Sequence, residues 1–208
     1  MRYEKGHKEA SRQRIVEVAS ERFRRDGIAA SGLAGIMSDA GLTNGAFYPH
    51  FASKVALVRE SVGSALDDQL GWVKSLLEAG GPAAVIDAYL SVEHRDDPAT
   101  GCASAALLPE IARGANDTRQ VYTGYLRRLV EMIAAELPDS VDDREGRSFA
   151  VLGMLIGTLE MSRAADEAQL SERILLAGRT AAKTLLGMEQ GDFSAKSGSR
   201  SRRSSARK

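Results

Sequence analysis

Val58, Val62, Leu66, Leu70, Val73 and Leu77 recur at steps of four, four, four, three and four residues. Only an α-helix brings such positions onto one side, as an apolar stripe about 100° wide that faces a core. The helical period recurs along the chain, and no convincing alternation at a period of two is present. Ile15, Val16, Ala19 and Phe23 share one face of an earlier helix, predicted over residues 8–26 and stopped by Gly27. Ser31 is placed to cap a short second helix, Thr43 a third that ends near Pro49, and Ser53 the long fourth. Gly80-Gly81-Pro82 ends the fourth and starts the next, with Pro82 suited to a first helical position. Residues 93–98 read as a loop. Further helices are predicted over about 102–113, 116–138, from 142 past Leu159, and 171–186. The expectation is an all-α chain of about nine helices, with no repeat of solenoid type.

Composition narrows the chemistry. Cys102 is the one cysteine, so an internal disulfide and a cysteine zinc site are excluded. His7, His50 and His94 are scattered, which argues against a histidine metal cage, and no cofactor motif is present. No apolar run approaches the ~20 residues of a membrane span, and residues 1–14 lack the apolar segment of a secretory signal. A cytoplasmic location without a membrane partner is the expectation. The 208 residues carry zero net charge, but unevenly. Residues 1–60 hold 10 basic and 7 acidic groups, residues 61–195 hold 12 and 21, and residues 196–208 hold 6 and none. A polyanionic partner would therefore meet the ends. Residues 191–208 have no core-forming pattern and read as a disordered basic tail.

Residues 33–40, the turn Gly41-Leu42-Thr43 and residues 44–50 form two short helices joined tightly after a longer one, a helix-turn-helix. Gly41 suits a positive φ, Ala40 a close helix crossing, and Leu42 an apolar plug under the turn. The second short helix presents Asn44, Ala46, Tyr48 and His50, enough to touch a few base pairs of a major groove.

Over residues 12–58 the chain resembles the DNA-binding domain of the TetR (tetracycline-repressor-like) family of bacterial regulators. The segment Ala40-Gly41-Leu42-Thr43-Asn44-Gly45-Ala46-Phe47-Tyr48-Pro49-His50-Phe51-Ala52-Ser53-Lys54 carries the likeness, above all through the spacing of Gly45, Tyr48, His50, Phe51 and Lys54. Met37, where a small alanine is common, and Gly35, a weak helix former, depart from the pattern. The chemistry of each side chain suggests a role. Thr43 and Tyr48 have hydroxyls for phosphate oxygens, and Lys54 offers a cation at a helix start. Asn44 suits bidentate reading of adenine or a helix start, and Ala46 a thymine methyl. Gly45 permits close backbone approach. His50 lies near the DNA backbone or locks the motif by packing. Ser31 caps the second helix and is available to a phosphate. Phe47 and Phe51 are expected in the core. Arg12 and Arg14 would add long-range attraction, and Arg22, Arg24 and Arg25 read as a solvated face. Residues 2–8 are expected as an arm for the minor groove.

The resemblance implies that residues 1–57 form the DNA-binding domain, and that residues 58–190 bind a small effector and pair two copies. Palindromic double-stranded DNA would be the partner, because one short helix reads too few bases and a two-fold axis doubles the site. Trp72, Leu76, Tyr89, Cys102, Leu107, Leu108, Tyr122, Tyr125, Met154 and Met161 are the candidate pocket residues, an apolar and aromatic set with a few hydroxyls. It favours an apolar effector. Leu152, Ile156, Leu159, Leu175, Ala181 and Leu185 are the candidate dimer residues, with Gly153, Gly157, Ala177 and Gly178 allowing close approach. Residues 101–111 with Arg119 resemble a TetR subset carrying a Gly-Cys pair, so a thiol-sensing regulator through Cys102 is an alternative. A ligand-independent regulator or activator is another. No Ser/His/Asp spacing, phosphate loop or GxGxxG marks an enzyme.

Overall fold

The computed structural model describes residues 2–188, with side chains from residue 6; the basic tail and its proposed role lie outside the described residues. The described chain is helical throughout: α1 (Arg2–Asp26), α2 (Leu33–Asp39), α3 (Lys54–Tyr89), α4 (Val92–Asp96), α5 (Ala103–Arg113), α6 (Asn116–Ala135), α7 (Arg144–Ala164) and α8 (Ala168–Leu185). A single 3-10 turn, Asn44–Ala46, stands where a third helix is expected.

Several boundaries differ from the periodicity for physical reasons. Helix α1 runs back to Arg2, so residues 2–8 are helical rather than an extended arm. Arg, Glu and Lys in that segment are good helix formers. Gly80 (φ −162°, ψ 18°) and Gly81 (φ 66°, ψ −163°) break α3 where Gly-Gly-Pro predicts a stop, and Pro82 resumes it. The expected loop at residues 93–98 contains α4, whose cap is Ser91 Oγ accepting from the His94 N–H at 3.1 Å. Ser53 caps α3 as its position predicts, accepting from the Ala56 N–H at 3.1 Å.

Two apolar clusters hold the chain. The larger joins Ile15 and Phe23 of α1, Ile36 and Met37 of α2, Phe47 and Phe51, Leu57 and Leu66 of α3, Leu107 of α5 and Tyr125 of α6. It crosses residue 57 without interruption, so the two expected domains share one core and one helix. The smaller joins Ile86, Tyr89 and Leu90 to Leu155 and Leu159 of α7 and Leu175 and Ala182 of α8. Gly178 is buried at the α7–α8 crossing, where a Cβ would strike Thr158.

Candidate nucleic-acid interface and effector cavity

The helix-turn-helix is locked from its apolar side. Gly41 takes φ +72°, and the Leu42 N–H reaches the Met37 carbonyl at 2.9 Å, which closes the turn. Met37 is fully buried, filling the space under the motif. Gly35 also has a reason: a Cβ there would strike the Arg22 guanidinium. Arg22 thereby reaches Asp39 at 3.3 Å and Asp26 at 3.7 Å, tying α1 to α2 instead of facing solvent. Phe47 and Phe51 stack at 5.5 Å and are buried. The Ala46 N–H bonds the Thr43 carbonyl at 3.0 Å, and the Phe51 N–H bonds the Phe47 carbonyl at 3.0 Å. Gly45 and Pro49, both poor helix formers, account for a recognition element shorter than the helix expected.

Thr43, Asn44 and Gly45 are exposed, Tyr48 is 71% exposed, and Ala46 packs on the core edge. Tyr48 stands edge-on to Phe47 with ring centres 5.4 Å apart, so a buried ring supports an outward phenol. His50 is half-buried and its Nδ1 is enclosed without a partner among the described residues. Burial first, then Lys8 and Arg12, push its pKa below the ordinary value. A neutral imidazole is a weak phosphate partner, which favours the packing role.

Three expected contacts are corrected. Ser31 is buried and does not cap α2; Gly32 is the N-cap. Its hydroxyl donates to the Gly27 carbonyl at 2.7 Å. The Lys54 ammonium donates to the Ile28 carbonyl at 2.8 Å and so braces the α1–α2 turn. Arg12 pairs with Glu60 at 2.6 Å and lies over the Phe51 ring at 4.9 Å, so its charge is largely compensated.

Two ties between the ends of the molecule were not legible in the sequence. Glu110 of α5 accepts from the Ile28 N–H at 2.9 Å and the Ala29 N–H at 3.1 Å, holding the α1–α2 turn. Arg24 Nε donates to the Ala99 carbonyl at 2.6 Å, and burial lowers its pKa. Both partners lie more than 70 residues away, beyond any local pattern.

The expected pocket residues divide. Tyr89, Cys102, Tyr122 and Tyr125 line a narrow, partly enclosed cavity of about 20 Å³ between α3, α5, α6 and α7. Gln69, Ser104, Leu129 and Ile133 join them, as do Leu152 and Ile156, which were expected at a dimer seam. Trp72 instead lines a neighbouring open cleft of about 610 Å³, with Arg24, Asp68, His94 and Asp97. Leu76 packs on the larger cluster, Leu107 is buried in it, Leu108 is half-buried, and Met154 packs on the smaller one. Met161 is 62% exposed on α7, so it belongs to the surface. Cys102 is buried at the start of α5, and its N–H donates to His94 Nε2 at 3.1 Å. That bond places the His94 proton on Nδ1, which donates to the Tyr89 carbonyl at 2.6 Å. Among the described residues no cluster of His, Cys, Asp and Glu could hold a metal ion, and no helix is long and apolar enough to cross a membrane.

The seam residues are also redistributed. Leu159 and Leu175 are buried within the chain, and Leu152 is nearly so. Leu152 and Leu159 of α7 and Leu175 of α8 face inward and are covered by the chain's own core. Ala181 is exposed and Leu185 half-buried. The outward side of α7 carries Phe149, Gly153, Gly157 and Met161, and that of α8 carries Leu176, Ala177 and Ala181. A Cβ at Gly153 or Gly157 would meet nothing within 4 Å, so neither glycine is required by packing inside this chain.

Comparison with known proteins agrees with this geometry. The sequence profile of bacterial regulatory proteins of the tetR family matches residues 15–61. The HTH-type transcriptional repressor KstR2 of Rhodococcus jostii is 26% identical over 120 residues, 57% of this chain and 59% of that protein. The chain thus matches about three-fifths of that relative's length. The fold is that of the TetR-family regulator of Cytophaga hutchinsonii (TM-score 0.72, 16% identity, 87% of this chain and 95% of that one). It is also that of reduced E. coli NemR (TM-score 0.70, 14% identity, 84% and 96%). With the matched motif, the locked turn and the helical body all in place, the chain is similar to the bacterial regulatory proteins of the tetR family over residues 15–61 and shares the fold of these solved structures over most of its length.

Proposed function

We propose that the protein is a homodimeric, ligand-responsive transcriptional repressor, acting in the cytoplasm, that binds a palindromic operator and is released by a small, mainly apolar molecule. The observation that carries this reading is the division of the recognition element. Phe47 and Phe51 fix it from beneath, while the side chains of Thr43, Asn44 and Tyr48, with Gly45 between them, are exposed on the outside. A short polar strip on a rigid support suits base edges and phosphates of a major groove. Asn44 reads a base, Gly45 and Ala46 permit close approach, and Thr43 and Tyr48 hold phosphates. Lys54, His50 and Ser31 keep the strip in place from behind.

The outward strip of α7 and α8 is the proposed seam, with its glycines against the partner's helices. The cavity beside Tyr89 is the proposed effector site. At about 20 Å³ it must widen to admit a ligand, which moves α5 or α6 against α3. Glu110 carries that movement to the α1–α2 turn. Half-sites lie about 34–36 Å apart or at multiples of that, so a few Å of splay between two recognition elements breaks register.

Selection of bound duplexes from a random library near physiological salt tests the reading. Enrichment of a palindrome is expected. A folded protein that enriches no sequence would refute specific operator binding.

A further inference from the structure

We propose that the effector is an uncharged molecule with a hydrogen-bond acceptor, such as a ketone or ester carbonyl, on an apolar body, and that Tyr89 Oη donates to that acceptor. The inference rests on the cavity being the effector site. The lining contains no Asp, Glu, Lys, Arg or His. An ionised ligand would be buried there without a counter-charge, which is strongly unfavourable.

The polar groups that do line the cavity are not equivalent. The Tyr122 and Tyr125 hydroxyls stand near Ser104 and are not among the enclosed, unpaired groups. Tyr89 is different. Its ring is buried, and its hydroxyl is enclosed without a hydrogen-bond partner among the described residues. The neighbouring groups are the Cys102 thiol and Tyr125, both on the cavity wall. A thiol is a weak partner and no bond of normal geometry forms.

The hydroxyl cannot swing away to solvent. The Tyr89 carbonyl is bonded to His94 Nδ1 at 2.6 Å, and the two rings meet edge to face at 4.7 Å. Burial raises the pKa of Tyr89 well above its ordinary value, so the group stays a donor at neutral pH. A buried orphan donor weakens a fold, and phenylalanine would fill the same space without that cost. The hydroxyl therefore has its use with an acceptor that enters from outside. Gln69 lines both this cavity and the open cleft beside Trp72, which marks a route of entry.

The test uses the full chain, its Tyr89→Phe variant, and three probes of similar shape: acetophenone, ethylbenzene and benzoate. Dissociation constants are measured by calorimetry or ligand-observed NMR. Tyr89→Phe is expected to weaken acetophenone about 5- to 10-fold, the range of one neutral hydrogen bond, and ethylbenzene less than about 2-fold. Benzoate is expected to bind least. The apo variant should melt at or slightly above the wild-type temperature. An acetophenone affinity indifferent to Tyr89→Phe, or benzoate as the tightest probe, overturns the donor assignment while leaving the cavity an effector site. Failure of all three probes overturns the effector site itself. A variant that loses its fold shows that the hydroxyl has a structural partner, and also overturns the proposal.

Discussion

Glu110 gives the most direct test of how the two ends of the molecule are joined. Its carboxylate takes the Ile28 N–H at 2.9 and 3.2 Å through its two oxygens, and the Ala29 N–H at 3.1 Å. Those amides follow Gly27, which sits at φ +85° where α1 ends. Hydrogen bonds to a charged group contribute about 1.5–3 kcal/mol each when buried. Here Glu110 and Ile28 are half-buried and Ala29 is exposed, so water replaces much of what is lost. Glu110→Ala should then cost about 1–2 kcal/mol in total, and lower the melting temperature by about 3–6 °C for a chain of this length. Glu110→Gln keeps a neutral acceptor and should cost about half as much. Hydrogen exchange at Ile28 and Ala29, read by NMR in both proteins, localises the effect. Those amides should lose protection while the Leu66 and Tyr125 amides keep theirs. A melting temperature within about 1 °C of wild type, with unchanged exchange at both amides, would refute the reasoning.

Other outcomes follow from burial and charge. Asn44→Ala should weaken binding to a selected operator by about 1–3 kcal/mol and relax one base position. Tyr48→Phe should weaken binding about equally for all sequences and leave the log–log salt slope unchanged, because the phenol carries no charge to release a counterion. Neither should move the melting temperature, since both side chains are exposed; gel shift and thermal melting check this. Leu176→Glu places a charge on the α7–α8 strip twice in a symmetric pair. It should raise the dimer dissociation constant by at least about 100-fold with helicity intact, and an unchanged sedimentation profile would remove that strip from the interface. Burial lowers the His94 pKa from 6.5, ahead of the opposing hydrogen bond to the Tyr89 carbonyl. Below pH 6.5 the unfolded chain then binds a proton that the folded chain refuses, so stability falls as pH falls. His50 adds in the same direction. Thermal melts between about pH 7.5 and 5.5 should slope accordingly, and His94→Gln should flatten the slope; an unchanged slope in the variant would contradict it.

The sequence by itself determined what is local. The stripe from Val58 to Leu77 fixed a long core-facing helix, Ser53 its start, and Gly41 the turn of the DNA-reading motif. Phe47 and Phe51 were readable as core because their neighbours in the motif are polar or small. These features depend on residues within about one helical turn of one another, so pattern and propensity suffice.

Tertiary structure alone decided where groups of ambiguous pattern point. Ser31 stands at the right place for a cap, but the Gly27 carbonyl is nearer to its hydroxyl than a helix start is. Lys54 looks free for phosphate until the Ile28 carbonyl is brought to it across 26 residues. Helix α7 is apolar on two sides, so period could not separate Leu159, sealed against α8, from Met161, turned to solvent. The cavity is more collective still. Four helices contribute to it, and whether Tyr89 or Trp72 meets it depends on how they cross, with Gln69 at the divide. Apolar periodicity tells a side chain that it will be covered; the packing of distant segments decides by what, because burial is non-directional while hydrogen bonds and cavities are set by position in three dimensions.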